Sequence, residues 1–187
     1  NLLDCFGTST LLGSSVEIYG NEVDTFTLDE RITIASMATE MGAITLLFPP
    51  GEEIIKYFES RSGRIIEPIK ADRDARYDQV INLDMGKFTR RISLPGKPHD
   101  TVPVNDIKET KIDSAFIGSC TNGRMEDMRQ VAEILNGRQV APRVVLKIVP
   151  ATNEIWNQCM NEGLLQVFKN AGALVSNAGC AGCAAGR

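Results

Sequence analysis

The chain has 187 residues, of which 43% are hydrophobic and 24% are charged, a composition typical of a globular protein with one large or two small domains. The formal net charge is −4 and the sequence contains no basic run, which argues against nucleic acids and anionic membranes as partners. The apolar runs are far shorter than the roughly 20 residues of a transmembrane helix, and no signal-peptide pattern opens the sequence, so we expect a cytoplasmic protein.

The first half of the chain predicts strands that alternate with helices. Residues 10–19 and 44–48 read as strands, whereas residues 27–42 and 52–60 have helical periodicity. Alternation of apolar and polar residues over 77–94 predicts a hairpin that turns near Met85.

Three prolines within residues 95–103 argue against a helix or a central strand at that point, so we place the domain boundary there. The predicted organisation is a first α/β domain at 1–96, a linker at 97–104 and a second α/β domain at 105–187.

The second half predicts a β-α-β-α-β series. The predicted strands are residues 114–117, 143–149 and 173–176. The first predicted helix ends at Leu135 and begins at Thr121 or Asn122, either of which could cap it. The second predicted helix runs from Asn153 to Phe168. Strands joined by helices of this length are expected to be parallel with right-handed crossovers, so the turns that follow the strands lie at one edge of the sheet. Open α/β sheets bind their ligands at that edge.

Three cysteines follow these strands. Cys120 comes after the first strand of the series, and Cys180 and Cys183 form a CxxC pair after the third. Three thiolates suit an iron–sulfur cluster in which one iron stays open. Small neighbours such as Gly118 and Gly179 would let the backbone approach a bulky inorganic group.

The residues alone leave other readings of the cysteines open. A zinc site would need a fourth ligand, and the single histidine, His99, lies in the predicted linker. A redox CxxC pair or plain buried thiols are further alternatives. Cys5 and Cys159 are expected to be ordinary buried thiols, and the odd total of five cysteines argues against a disulfide framework.

Residues 117–124 (IGSCTNGR) and 179–183 (GCAGC) resemble the cysteine motifs of the aconitase superfamily, most closely those of the large subunits of 3-isopropylmalate dehydratase and homoaconitase. Residues 34–43 (IASMATEMGA) resemble the family's Asn-Met-x-x-Glu-x-Gly-Ala helix, and residues 97–104 resemble its second interdomain connector. The resemblance covers essentially the whole chain. It implies the family's second α/β domain and most of the third.

The resemblance implies a [4Fe–4S] cluster held by Cys120, Cys180 and Cys183, and an enzyme that removes water from a hydroxy di- or tricarboxylic acid and adds it back. Isomerisation of the 3-isopropylmalate or homocitrate type would place the protein in leucine or related amino-acid biosynthesis. Glu40 matches a residue that lines the family's active site, and Ser36 stands where the family usually has asparagine, so both are candidate catalytic residues. Asn122 is a candidate to orient the cluster.

Segments that carry the family's substrate-binding arginines and catalytic serine have no counterpart in this sequence, which also starts without methionine. We therefore expect a fragment that is inactive alone, with a cluster that is labile or absent, and that needs a small subunit to supply the swivelling domain. The competing hypothesis is a non-catalytic module that senses iron or binds structural zinc through the same cysteines.

Overall fold

The structure is a computed structural model that describes residues 1–107 and 110–180. Its α/β class agrees with the prediction, and the residues form two compact units. Within the described ranges, the first unit contains Asn1–Leu28 and the residues from Ala38 to the gap, and the second contains Asp29–Met37 and the residues after the gap. None of the helices in these ranges combines the length and the apolar character that crossing a membrane requires.

The helices and strands are numbered in chain order, and short 3-10 turns lie between some of them. The elements are α1 (Leu2–Phe6), β1 (Ser15–Glu17), α2 (Asn21–Asp24), α3 (Leu28–Ser36), β2 (Thr45–Leu47), α4 (Glu52–Ser62), β3 (Arg91–Ser93), β4 (Thr101–Pro103), β5 (Ser114–Gly118), α5 (Ser119–Asn122), α6 (Met125–Leu135), β6 (Val145–Val149), α7 (Asn153–Asn161), α8 (Leu164–Asn170) and β7 (Leu174–Val175).

The first unit contains two small sheets. Strands β1 and β2 are parallel, with Val16 opposite Leu46, and β3 and β4 are antiparallel, with Ile92 opposite Val102. Buried apolar side chains, among them Val23, Met41 and Leu46, form the core of this unit. The predicted strands at 10–19 and 44–48 therefore exist in shortened form.

The prediction of a hairpin at residues 77–94 is wrong. Residues Met85–Lys87 form a 3-10 turn, in which the Asp84 carboxylate accepts a hydrogen bond of 3.0 Å from the Gly86 N–H. The hairpin instead pairs β3 with β4, which lies inside the predicted linker. Each strand of a two-stranded sheet has a free edge, and an edge strand tolerates Pro103 because its missing N–H is not needed there.

The second unit has the predicted β-α-β-α-β topology. Its sheet has the order β5-β6-β7, and both pairs of neighbours are parallel. Helices α6, α7 and α8 supply most of the buried core that packs with β6, as their apolar spacing predicts. The buried core residues are Met125, Met128, Ala132, Leu146, Ile148, Ile155, Cys159 and Phe168.

Two details of the helices differ from prediction. The helix predicted from Asn153 to Phe168 is broken into α7 and α8 at Gly163, which has a φ of 74° that a continuous helix does not allow. Neither Thr121 nor Asn122 caps α6, because both belong to the separate turn α5. The N-cap of α6 is Arg124, whose backbone N–H donates to the Asp127 carboxylate over 2.9 Å.

The compact units differ from the predicted domain bounds at residues 29–37. The sequence placed these residues in the first domain, whereas in the structure they pack with the second unit. The assignment of the two halves to the family's second and third domains stays a prediction.

The two cysteines outside the candidate site differ in exposure. Cys159 is fully buried, as predicted, and its thiol lies 3.8 Å from the Met125 sulfur. The prediction that Cys5 is buried is wrong, because α1 leaves its side chain exposed to solvent. Burial disfavours the thiolate and raises the pKa of Cys159 from its ordinary value of 9.0 to about 11.

We expect iodoacetamide at mildly alkaline pH to label Cys5 and to leave Cys159 unmodified in the folded chain, because only the exposed thiol is accessible. Peptide mapping by mass spectrometry measures both sites in one sample, and the urea-unfolded chain is the control in which both become labelled. Equal labelling of the two thiols in the folded chain would contradict the core assignment.

The raised pKa of Cys159 also makes the free energy of unfolding depend on pH. The stability that the protonated thiol contributes is fully present below the ordinary pKa of 9.0 and is lost as the pH rises towards about 11.

We expect Gly118→Ala to lower the free energy of unfolding of the second unit by about 3 kcal/mol or more, since it combines overpacking with backbone strain. Gly118 has a φ of 132°, and an added Cβ would lie 2.0 Å from the Val149 carbonyl oxygen. Urea unfolding followed by the fluorescence of Trp156, the single tryptophan, measures this loss. Gly137→Ala is the matched control, because Gly137 also has a positive φ but no atom within 4 Å of the added Cβ. Equal losses in the two variants would show that the close approach to Val149 is unimportant.

Candidate metal centre

The carboxyl edge of the second sheet brings the two cysteine turns together. Strand β6 lies between β5 and β7, and the residues after it bond to the turn that follows each neighbour. The Ala151 N–H donates to the Gly123 carbonyl over 2.9 Å, and the Gly179 N–H donates to the Pro150 carbonyl over 3.3 Å. The segment Pro150–Ala151 therefore joins the Cys120 turn to the Cys180 turn through the backbone.

The thiols of Cys120 and Cys180 are neighbours. Their sulfur atoms lie 4.0 Å apart, and the Cys180 thiol donates to the Cys120 sulfur. Both side chains are exposed to solvent. The predicted meeting of these two cysteines at one edge of a parallel sheet is thus present in the structure, although the ligand role of each stays a prediction.

Ser119 lies beside both thiols. Its hydroxyl oxygen is 3.9 Å from the Cys120 sulfur and 3.7 Å from the Cys180 sulfur. The side chain is buried, and the backbone has a φ of 71°, which residues other than glycine rarely adopt. The turn therefore holds a strained residue at the centre of the candidate site.

Hydrogen bonds lower the pKa of the Cys120 thiol. The largest contribution comes from the Thr121 hydroxyl, which is 3.8 Å from the sulfur, and Ser119 and Cys180 add to it, whereas partial burial opposes the shift. The thiolate is the form of cysteine that binds metals, so these hydroxyls favour the ligating state.

The other predicted site residues lie in different parts of the fold. Asn122 is exposed at the end of α5, and Ser36 is half-buried at the end of α3, within the second unit. Glu40 belongs to the first unit, where it is half-buried in a 3-10 turn and accepts a hydrogen bond of 2.9 Å from the Thr39 hydroxyl. The roles assigned to these three residues stay predictions.

Cys183, the third predicted ligand, lies outside the described residues. Over residues 1–107 and 110–180, no three histidine, cysteine or acidic side chains are grouped so that they could hold a metal ion. The described part of the site consists of the Cys120 and Cys180 thiols and the hydroxyls beside them.

Sequence reasoning missed two contacts between α3 and the Cys120 turn. The Arg124 guanidinium donates through Nε to the Asp29 carboxylate over 2.7 Å, and the Thr33 hydroxyl donates to the Thr121 carbonyl over 2.7 Å. The spacing of Asp29 and Thr33 by four residues places both on one helix face, a signal that was present in the sequence. What the sequence did not indicate was the partner of that face.

Comparison with known proteins identifies the family. A profile of the aconitase family (aconitate hydratase) matches residues 1–187. The chain is 39% identical over 186 residues to a 3-isopropylmalate dehydratase large subunit of Clostridium kluyveri and, over the same length, to one of Acetivibrio thermocellus, and in both cases the match covers 100% of this chain and 44% of the relative. A large subunit of the same name from Pyrococcus furiosus is 37% identical over 182 residues, which is 96% of this chain and 43% of that protein. The chain thus spans less than half the length of these relatives. Because the profile matches the whole sequence, the chain belongs to the aconitase family.

Proposed function

We propose that this chain is the cluster-binding part of a hydro-lyase that dehydrates and rehydrates a hydroxy di- or tricarboxylic acid. The observation that carries the proposal is the pair of exposed thiols, 4.0 Å apart at the carboxyl edge of a parallel sheet, in a chain of the aconitase family. The relatives are named 3-isopropylmalate dehydratase large subunits, so 3-isopropylmalate is the proposed substrate and leucine biosynthesis the proposed pathway. A small subunit is the proposed partner.

The donor set fits an iron–sulfur cluster. Cysteine thiolates are the ligands that such clusters use, and the described pair has no competing carboxylate or imidazole grouped with it within residues 1–107 and 110–180. Cys183 follows Cys180 by three positions, a spacing found in cluster-binding loops. We therefore propose that Cys120, Cys180 and Cys183 hold a [4Fe–4S] cluster. When bound, the cluster would supply a Lewis-acidic iron that stabilises negative charge on a leaving hydroxide.

The neighbouring hydroxyls favour the deprotonated form of Cys120, which is the form that binds metal. The hydrogen bond between Cys180 and Cys120 requires a proton on one sulfur, and that proton must leave before both sulfurs can bind metal. Thr121 and Ser119 stabilise the Cys120 thiolate, which is consistent with its lowered pKa. Loss of the proton from Cys120 is thus easier than from an ordinary thiol.

Glu40 is the proposed acid–base residue of this chain. Its side chain is half-buried, and its carboxylate accepts a hydrogen bond from the Thr39 hydroxyl. This hydrogen bond orients the carboxylate. Dehydration requires removal of a proton from the carbon next to the one that loses hydroxide, and a positioned carboxylate can take that proton. Ser36 and Asn122 are proposed as polar residues that orient the substrate and the cluster.

Anaerobic reconstitution with iron and sulfide tests the cluster. Because oxygen is excluded, a cluster that is labile in the fragment should persist. We therefore expect the wild-type chain to take up iron and sulfide and to gain the broad visible absorption of an iron–sulfur cluster, and Cys120→Ser, Cys180→Ser and Cys183→Ser each to lose most of both. Cys5→Ser is the matched control, because Cys5 is an exposed thiol of the first unit, and it should behave as wild type. A colourless chain that retains zinc would support the structural zinc module instead. If the chain is coloured and carries the cluster, but the chimeric large subunit described below does not hydrate the unsaturated acid, the result would support iron sensing.

A chimeric large subunit tests the role of Glu40. In this chimera, the present chain replaces the matching segment of the Clostridium kluyveri large subunit, and the small subunit is added. We expect Glu40→Gln to lower kcat for hydration of the unsaturated acid by about 100-fold or more, because general acid–base catalysis contributes about 10²–10⁴. Iron content should stay unchanged. Glu53→Gln, on the exposed surface of α4, is the control, and equal activity of the two variants would remove Glu40 from the mechanism.

A further inference from the structure

Helix α3 holds the Cys120 turn at two points. Asp29 accepts from the Arg124 guanidinium over 2.7 Å, and Thr33, one helical turn later, donates to the Thr121 carbonyl over 2.7 Å. We call these four residues the α3 clamp. All of them belong to the second unit, although Asp29 and Thr33 lie some 90 residues away from their partners in the sequence (separations of 95 and 88 residues).

The clamp acts on the residues beside the thiol. Thr121 follows Cys120 directly, and Arg124 closes the turn by forming the N-cap of α6. Before Cys120, Gly118 packs closely against the end of β6. The Cys120 backbone is therefore fixed on one side by the sheet and on the other by α3.

The contact between Asp29 and Arg124 is of a kind that can hold a strained backbone in place. The side chains of Arg124 and Asp29 are only 16% and 21% exposed, so solvent screens their attraction less than it screens a surface pair. A hydrogen bond in which both groups are charged is also stronger than a neutral one.

The turn needs external support because of Ser119. A φ of 71° is costly for serine, and a chain free to relax would leave this conformation. Relaxation would move the Ser119 hydroxyl away from the two sulfurs and change the distance between them.

We infer that Asp29 and Thr33 are positioning residues that keep the Cys120 sulfur beside the Cys180 sulfur. The inference rests on the proposed function, because holding the two sulfurs together matters only if they bind a cluster. The experiment that tests the inference nevertheless uses the metal-free chain. No reconstitution or enzyme activity is needed to measure it.

The probe is phenylarsine oxide, a reagent that binds tightly only where two thiols are neighbours. The chain used carries Cys5→Ser and Cys183→Ser, which leaves Cys120, Cys180 and the buried Cys159. Affinity is measured by competition with a small dithiol. We expect Thr33→Val and Asp29→Asn each to weaken binding by about three- to tenfold. Thr33→Val removes one hydrogen bond that fixes the turn, and Asp29→Asn removes the negative charge that strengthens the hydrogen bond from Arg124.

Two controls separate positioning from general stability. Thr33→Ser keeps the hydroxyl and should restore wild-type affinity, whereas Glu133→Gln changes an exposed carboxylate on α6 and should have no effect. Urea unfolding measured through Trp156 fluorescence gives the folded fraction of each variant, and affinity is compared for the folded protein only.

Wild-type affinity in Thr33→Val and Asp29→Asn would overturn the inference, and so would a loss that Thr33→Ser shares. The inference would also be overturned if the chain with Cys5→Ser and Cys183→Ser bound the probe no better than the same chain with Cys180→Ser added, because the thiols would then not be neighbours. If the clamp variants weaken binding as expected but no variant or wild-type chain assembles a cluster, the inference stands and the proposed function fails.

Discussion

The parallel pairing of β5, β6 and β7 is the constraint on which the candidate site depends. Because β6 is central, the segment Pro150–Ala151 can bond to the turns that follow both neighbouring strands. Two cysteines separated by 60 residues thereby come within 4.0 Å of each other. An antiparallel β6 would have ended at the opposite edge of the sheet, and Pro150–Ala151 could not have joined the two cysteine turns.

The sequence was informative where periodicity is strong. The helices and strands of the second half follow clear apolar spacing, and that spacing predicted the β-α-β-α-β topology. The site follows from the topology, since turns after parallel strands share one edge. The position of Cys120 beside Cys180 was therefore predictable without coordinates.

The sequence was less informative where tertiary contacts decide. Prolines marked residues 95–103 as unsuitable for a central strand, but they did not exclude an edge strand, and β4 forms there. Thr121 is a good helix cap by residue type, yet its backbone carbonyl is used by Thr33 and the cap falls to Arg124. The exposure of Cys5 likewise depends on what packs on α1, which no local pattern reveals.

The passage of residues 29–37 into the second unit has a consequence for folding. These residues precede their partners in the chain by 88 positions or more, so they must wait for most of the polypeptide before their hydrogen bonds can form. Closing so long a loop is slow and costs entropy. During synthesis on the ribosome, the early part of the chain would emerge with one helix whose binding surface does not yet exist. Cutting the polypeptide at residues 97–104 would remove the covalent connection between that helix and its surface.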